Sequence, residues 1–163
     1  MSETATRRLA LIKLEGEALT RLSPLQEADR AQAVADLQAE NSFTPLRVGV
    51  PMETGPYALR LSIQEGRLVF DIRRADDSKL HLIALALGPF RGLIKDYEML
   101  VESHMTAVAE GREARIQAID MGRRGLHNEG AALMTERLAG KIEMDFETAR
   151  RLFTLVCVLH QRV

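Results

Sequence analysis

The stretch YALRLSIQEGRLVFDIRRADDSKLHLIALAL, Tyr57 to Leu87, decides the fold. From Tyr57 to Gln64 apolar and polar residues alternate without a break: Tyr57, Leu59, Leu61 and Ile63 against Arg60, Ser62 and Gln64. Period two is the repeat of a strand with one buried face. Arg67 to Arg73 repeats it with Leu68, Phe70 and Ile72, and Glu65-Gly66 between them makes a two-residue turn. Such a turn fixes the register. Ile63 is set opposite Leu68, Leu61 opposite Phe70, Leu59 opposite Ile72 and, on the other face, Arg60 opposite Asp71. Each good cross-strand pair contributes roughly 0.2–1 kcal/mol.

The polar turn Ala75-Asp76-Asp77-Ser78 leads into a third strand, 79–87. Centred on Asp76-Asp77, it places Phe70 opposite Ile83, Leu68 opposite Leu85 and His81 beside Ile72. Leu82 to Leu87 is apolar on both faces. That predicts an interior strand whose free side takes the N-terminal strand, about 8–14.

The helices are read outward from this meander. Ser23-Pro24-Leu25-Gln26 is a capping box with Pro at the first helical position, opening a helix over about 24–40. Pro45, Pro51 and Pro56 predict an irregular segment over 41–56, with Phe43 and Leu46 tucked beneath it as a satellite cluster. Gly88-Pro89 opens a helix over about 89–109. A third helix, 112–138, is expected to stall near Gly122 and Gly125. Asp145 caps a last helix, 146–160. That helix is apolar nearly all round, which predicts burial on all sides, at the centre of the fold or in a contact between two copies. The expected fold is α+β: one domain over 1–163, with a four-stranded, mainly antiparallel sheet covered by helices on one face.

Composition narrows the function classes. A net charge of −1 offers no bulk electrostatic capture of nucleic acid or acidic lipid. Aromatics at 4% are too few for base-stacking platforms, so RNA binding is disfavoured. The single cysteine, Cys157, leaves no disulfide and no cysteine-based zinc site. No apolar h-region opens the chain and no apolar run approaches the length of a membrane span, so a cytoplasmic location is expected.

Chemistry-bearing motifs are sparse. His81, His104, His127 and His160 have no partner at metal-ligand spacing, so no metal is expected. Glu98 and Glu102 share a helix face, which a solvated surface also explains. Gly88 to Gly92 with Lys95 lacks the spacing of a phosphate loop. Arg outnumbers Lys 18 to 4, and Arg occurs in four adjacent pairs: Arg7-Arg8, Arg73-Arg74, Arg123-Arg124 and Arg150-Arg151. Two pairs converging in space would make an anion site, because guanidinium holds phosphate in bidentate fashion.

The densest stretch is Asp120 to Gly130, with three glycines, two arginines and a histidine. Arg123, Arg124, His127, Asn128 and Glu129 are its candidate ligand-binding residues. The arginines would hold a phosphate or carboxylate, and His127 with Glu129 would move a proton. An inter-helix turn with solvated charges explains the same composition. No motif assigns a catalytic residue or a cofactor.

Several segments together resemble Uncharacterised Protein Family 0262, small alphaproteobacterial proteins. They are Glu40-Asn41-Ser42-Phe43, Gly55-Pro56-Tyr57, Arg67 to Ile72, Gly88 to Glu98, Asp120 to Gly130 and Ala149 to His160. The resemblance covers most of the chain past residue 40 and implies no activity, cofactor or catalytic residue. The expectation from the residues is a small protein–protein interaction or regulatory module, probed first as a homodimer. The alternative is an anion- or phosphate-ligand-binding protein, as a binder or an enzyme, with its site around Asp120–Gly130.

Overall fold

The computed structural model describes residues 6–16 and 21–160. Strands β1 (Leu9–Glu15), β4 (Tyr57–Gln64), β5 (Arg67–Arg74) and β6 (Lys79–Ala86) form one sheet in the order β1-β4-β5-β6. Strands β2 (Phe43–Arg47), β3 (Val50–Pro51) and β7 (Ile142–Met144) form a second, in the order β3-β2-β7. The helices are α1 (Pro24–Ala39), α2 (Arg91–Ala109), α3 (Glu113–Arg137) and α4 (Phe146–Leu159). The class is α+β.

Every pairing expected within the meander is present: Ile63 with Leu68, Leu61 with Phe70, Leu59 with Ile72, Phe70 with Ile83, Leu68 with Leu85, and His81 with Ile72. Both turn residues, Glu65 (φ 49°) and Gly66 (φ 72°), are left-handed, as the tightest hairpin turns require. Arg60 sits opposite Asp71. Its nearest ionic partner is instead Asp77 at 2.6 Å, while Asp71 accepts from Arg73 at 3.0 Å.

The first strand corrects the expected topology. β1 pairs with β4, not with the third meander strand, and runs parallel to it, so the sheet is mixed. A parallel neighbour needs a long crossover, and the segment containing α1 supplies it. β6 is therefore an edge. Leu82 is 62% exposed there, and Ala84 and Ala86 are exposed too, so the apolar outward face of β6 lies in water.

The segment 41–56 is not irregular. It contains β2 and β3, and β7 returns from the far end of the chain to pair with β2, Phe43 opposite Met144 and Pro45 opposite Ile142. The prolines are accommodated because these ladders are very short. Phe43 is fully buried in the main core and belongs to no satellite. Asn41, also buried, ties α1 to β1. Its Oδ1 accepts from the Leu9 N–H at 2.7 Å, and its Nδ2 donates to the carbonyls of Leu9 and Leu37.

The capping box on α1 is complete. The Gln26 N–H donates to Ser23 Oγ at 3.3 Å, and the Ser23 N–H donates to Gln26 Oε1 at 2.9 Å. Ser23→Ala should cost about 1 kcal/mol. That is roughly 2–4 °C in thermal denaturation followed by circular dichroism.

At the centre lies α4. It packs against β1 and β4 on one side and against α1 and α3 on the others. Thr148, Ala149 and every residue from Leu152 to Leu159 are buried. Leu155 and Val158 are both 0% exposed within one chain. The all-round apolar character is thus satisfied inside the fold and no longer argues for a second copy.

Candidate functional site

Nor does α3 stall at its glycines. It runs unbroken from Glu113 to Arg137. Helical glycine costs about 0.8–1 kcal/mol relative to alanine, which the packing of α3 on α2 and α4 offsets. Gly130 has a specific reason. A Cβ there would lie 2.1–2.3 Å from ring carbons of Phe153 on α4.

The continuous helix sorts the five candidate residues by angle. Arg123, Arg124 and His127 come together on the side facing α1 and α4. Asn128 and Glu129 are exposed, and Glu129 lies instead over a depression between α2 and α3. His127 is buried and does not share a site with Glu129.

The cleft holding Arg123, Arg124 and His127 has a volume of about 200 Å³. Its other walls are Asp29, Gln32, Ala33 and Asp36 from α1, with Arg150, Arg151 and Thr154 from α4. Two of the four arginine pairs thus converge, one from each of two neighbouring helices. The acids are already engaged. Arg123 Nε is 3.6 Å from Asp29 and its Nη1 is 3.3 Å from Asp120, while Arg151 Nε is 3.6 Å from Asp36 and its Nη2 is 3.5 Å from Glu147. Glu147 also pairs with Arg150. Arg124 is exposed and makes no ion pair among the described residues.

Behind this rim lie Tyr97, His127 and Phe153. The Tyr97 hydroxyl, from α2, donates to Asp29 Oδ2 at 2.7 Å. The His127 ring packs 5.8 Å from Tyr97 and edge-on, 6.5 Å, to Phe153. Burial raises the Asp29 carboxyl above its usual range, against the lowering by Tyr97 and Arg123. Burial also lowers His127 to about 4, with the charges of Arg123 and Arg150 adding to the effect. At neutral pH His127 is therefore an uncharged imidazole among cations. Its Nε2 is buried without a hydrogen-bond partner, as are Arg123 Nη1 and Arg151 Nε.

The remaining candidates scatter. His160 Nδ1 lies 2.8 Å from Glu98 Oε1, so Glu98 is engaged with the end of α4. Gly88–Phe90 is a 3-10 turn leading into α2, and α2 has no side-chain cap. No group of three or more potential metal ligands occurs among the described residues. No helix among them is long and apolar enough to cross a membrane. Sequence reasoning missed Asp29 and Asp36. Their spacing of seven, two helical turns on one face, was the available signal.

Comparison with known proteins agrees along the whole length. The profile of the Uncharacterised protein family (UPF0262) matches residues 6–162. A UPF0262 protein of Granulibacter bethesdensis is 72% identical over 165 residues, 99% of this chain and 94% of its own length. One from Acidiphilium cryptum is 58% identical over 158 residues, 95% and 93% of the two chains. One from Rhodospirillum rubrum is 49% identical over 157 residues, 96% and 94%. No solved structure matches.

Proposed function

The chain belongs to the uncharacterised family UPF0262, and we propose, from the geometry of the cleft, that it is a cytoplasmic anion-binding protein. The observation that carries this reading is the meeting of Arg123-Arg124 and Arg150-Arg151 around one small cleft. A guanidinium held from one side by a carboxylate is oriented in advance, so less freedom is lost when its remaining N–H groups meet a ligand. Asp29 and Asp36 act on Arg123 and Arg151 in that way. Arg124 supplies the cation that is not already neutralised.

A ligand present at a hundred times its Kd stabilises the folded state by about 2.7 kcal/mol. For a chain of this size that is a rise in melting temperature of roughly 5–10 °C. Differential scanning fluorimetry against a panel of phosphorylated and carboxylated metabolites should show such a rise, and Arg124→Ala should remove it. A panel without any shift would overturn the reading.

A second reading, self-association or docking of a protein partner, draws on the depression of about 490 Å³ between α2 and α3. It is lined by Leu93, Leu100, Leu126, Gly122 and Gly125, with Met99 54% exposed at its edge. Methionine-rimmed apolar grooves suit helical partners. If a second copy fills it, light scattering gives a dimer mass and Met99→Glu gives the mass of one chain.

A further inference from the structure

We infer that the cleft between α1, α3 and α4 is built for a compact tetrahedral dianion, the phosphoryl group of inorganic phosphate or of a phosphate monoester, in preference to carboxylates and to nucleotide polyphosphates. The inference rests on the anion reading and narrows it.

Buried polar atoms in folded proteins almost always have partners, and one left without is destabilising. Among the described residues, three buried side-chain nitrogens that make no hydrogen bond, Arg123 Nη1, His127 Nε2 and Arg151 Nε, belong to residues lining this one cleft. The two guanidinium nitrogens do lie near carboxylates, at 3.3 and 3.6 Å, but outside hydrogen-bond geometry.

The arrangement of these groups selects the shape of the ligand. A carboxylate offers two oxygens in one plane and is satisfied by a single guanidinium fork. Here four guanidinium groups come from two helices, Arg123 and Arg124 from α3 and Arg150 and Arg151 from α4, so donors surround the cleft from more than one side. A phosphoryl group presents three terminal oxygens that are not coplanar with their neighbours, so it can accept from several directions at once.

Charge points the same way. Four guanidinium groups line the cleft against two carboxylates, Asp29 and Asp36. Asp120 and Glu147 also pair with Arg123, Arg150 and Arg151, from outside the lining of the cleft, which leaves Arg124 as the lining guanidinium without an ion pair among the described residues. Volume excludes the larger alternative. About 200 Å³ lies below the roughly 300–1,000 Å³ of pockets that enclose drug-sized ligands. A nucleotide would have to leave its base and sugar outside.

The test is isothermal titration calorimetry on the full chain in a phosphate-free buffer, with inorganic phosphate, methyl phosphate, acetate, citrate and ATP as separate titrants. Inorganic phosphate, methyl phosphate or both should bind at least tenfold more tightly than acetate and citrate, with ATP no tighter than the better of the two. Binding by methyl phosphate identifies a monoester site, and binding by phosphate alone identifies a free-phosphate site. Arg124→Ala, a substitution at an exposed position, should weaken binding at least tenfold while leaving the unliganded melting temperature unchanged. His127→Gln should weaken binding without removing it. If acetate or citrate matches phosphate, the anion reading stands and the tetrahedral selection is overturned. Tighter binding of ATP overturns the size argument. If no titrant binds at millimolar concentration, both fall together.

Discussion

Gly130→Ala lowers the melting temperature by roughly 6–12 °C, a loss of about 3 kcal/mol. The added methyl would lie 2.1 Å from Phe153 Cδ2 and 2.2 Å from Cε2, far inside any tolerable contact. Phe153 is 0% exposed and stacks near Phe90, their centroids 6.2 Å apart, so it has little room to turn away. Helix α3 must move off α4, although alanine is by itself the better helix former by about 0.8–1 kcal/mol. Gly125→Ala provides the control on the same helix. Nothing lies within 4 Å of the position its Cβ would take, so it keeps the gain in helix propensity and raises the melting temperature by roughly 2–4 °C. Thermal denaturation of the two variants side by side checks both signs. Equal effects would mean that α3 and α4 are not packed as described.

The second large effect is a loss of stability in mild acid. The His127 pKa is about 4 in the folded chain against 6.5 for the free group. Between those values the unfolded chain binds a proton that the folded chain refuses, and stability rises with pH wherever the unfolded state binds more protons. The contribution of His127 is therefore complete above pH 6.5, declines as the pH falls, and changes no further below about 4. Integrated over that window it amounts to about 3 kcal/mol. Asp29 acts with the opposite sign. Its carboxyl takes up a proton at higher pH in the folded chain than in the unfolded one, which offsets part of the loss toward the acid end. Urea denaturation from pH 4 to 7 should show the slope, and His127→Gln should flatten it whatever that substitution does to stability at neutral pH. An unchanged slope in the variant would mean that His127 takes its proton in the fold as readily as out of it.

The meander was legible because its signals are local. Strict alternation, a two-residue turn and a four-residue turn leave a single register that joins Leu61, Phe70 and Ile83 on one face. The placement of β1 was not legible from Leu9 to Leu14 alone. Short apolar strands carry little information on partner or direction, and the choice of β4 comes from the crossover through α1. The continuity of α3 was hidden for a related reason. A glycine is penalised locally, while the ring of Phe153 that requires one at position 130 lies on another helix. On α4, the hydrophobic pattern predicted burial on every side but could not say whether the covering surfaces came from the same chain. For the cleft, Arg123-Arg124 and Arg150-Arg151 were visible as pairs. Their meeting depends on how α3 crosses α4, and no spacing in the sequence encodes that.

The central position of α4 bears on how the protein is made. Synthesis delivers this helix after every element it touches, so the meander and the earlier helices leave the ribosome with their greasy sides uncovered. Only when Leu152 to Leu159 arrives can those surfaces close around it. A nascent chain interrupted before that point lacks the helix that fills the middle of its core, and the faces of β1, β4, α1 and α3 that pack on it stay uncovered.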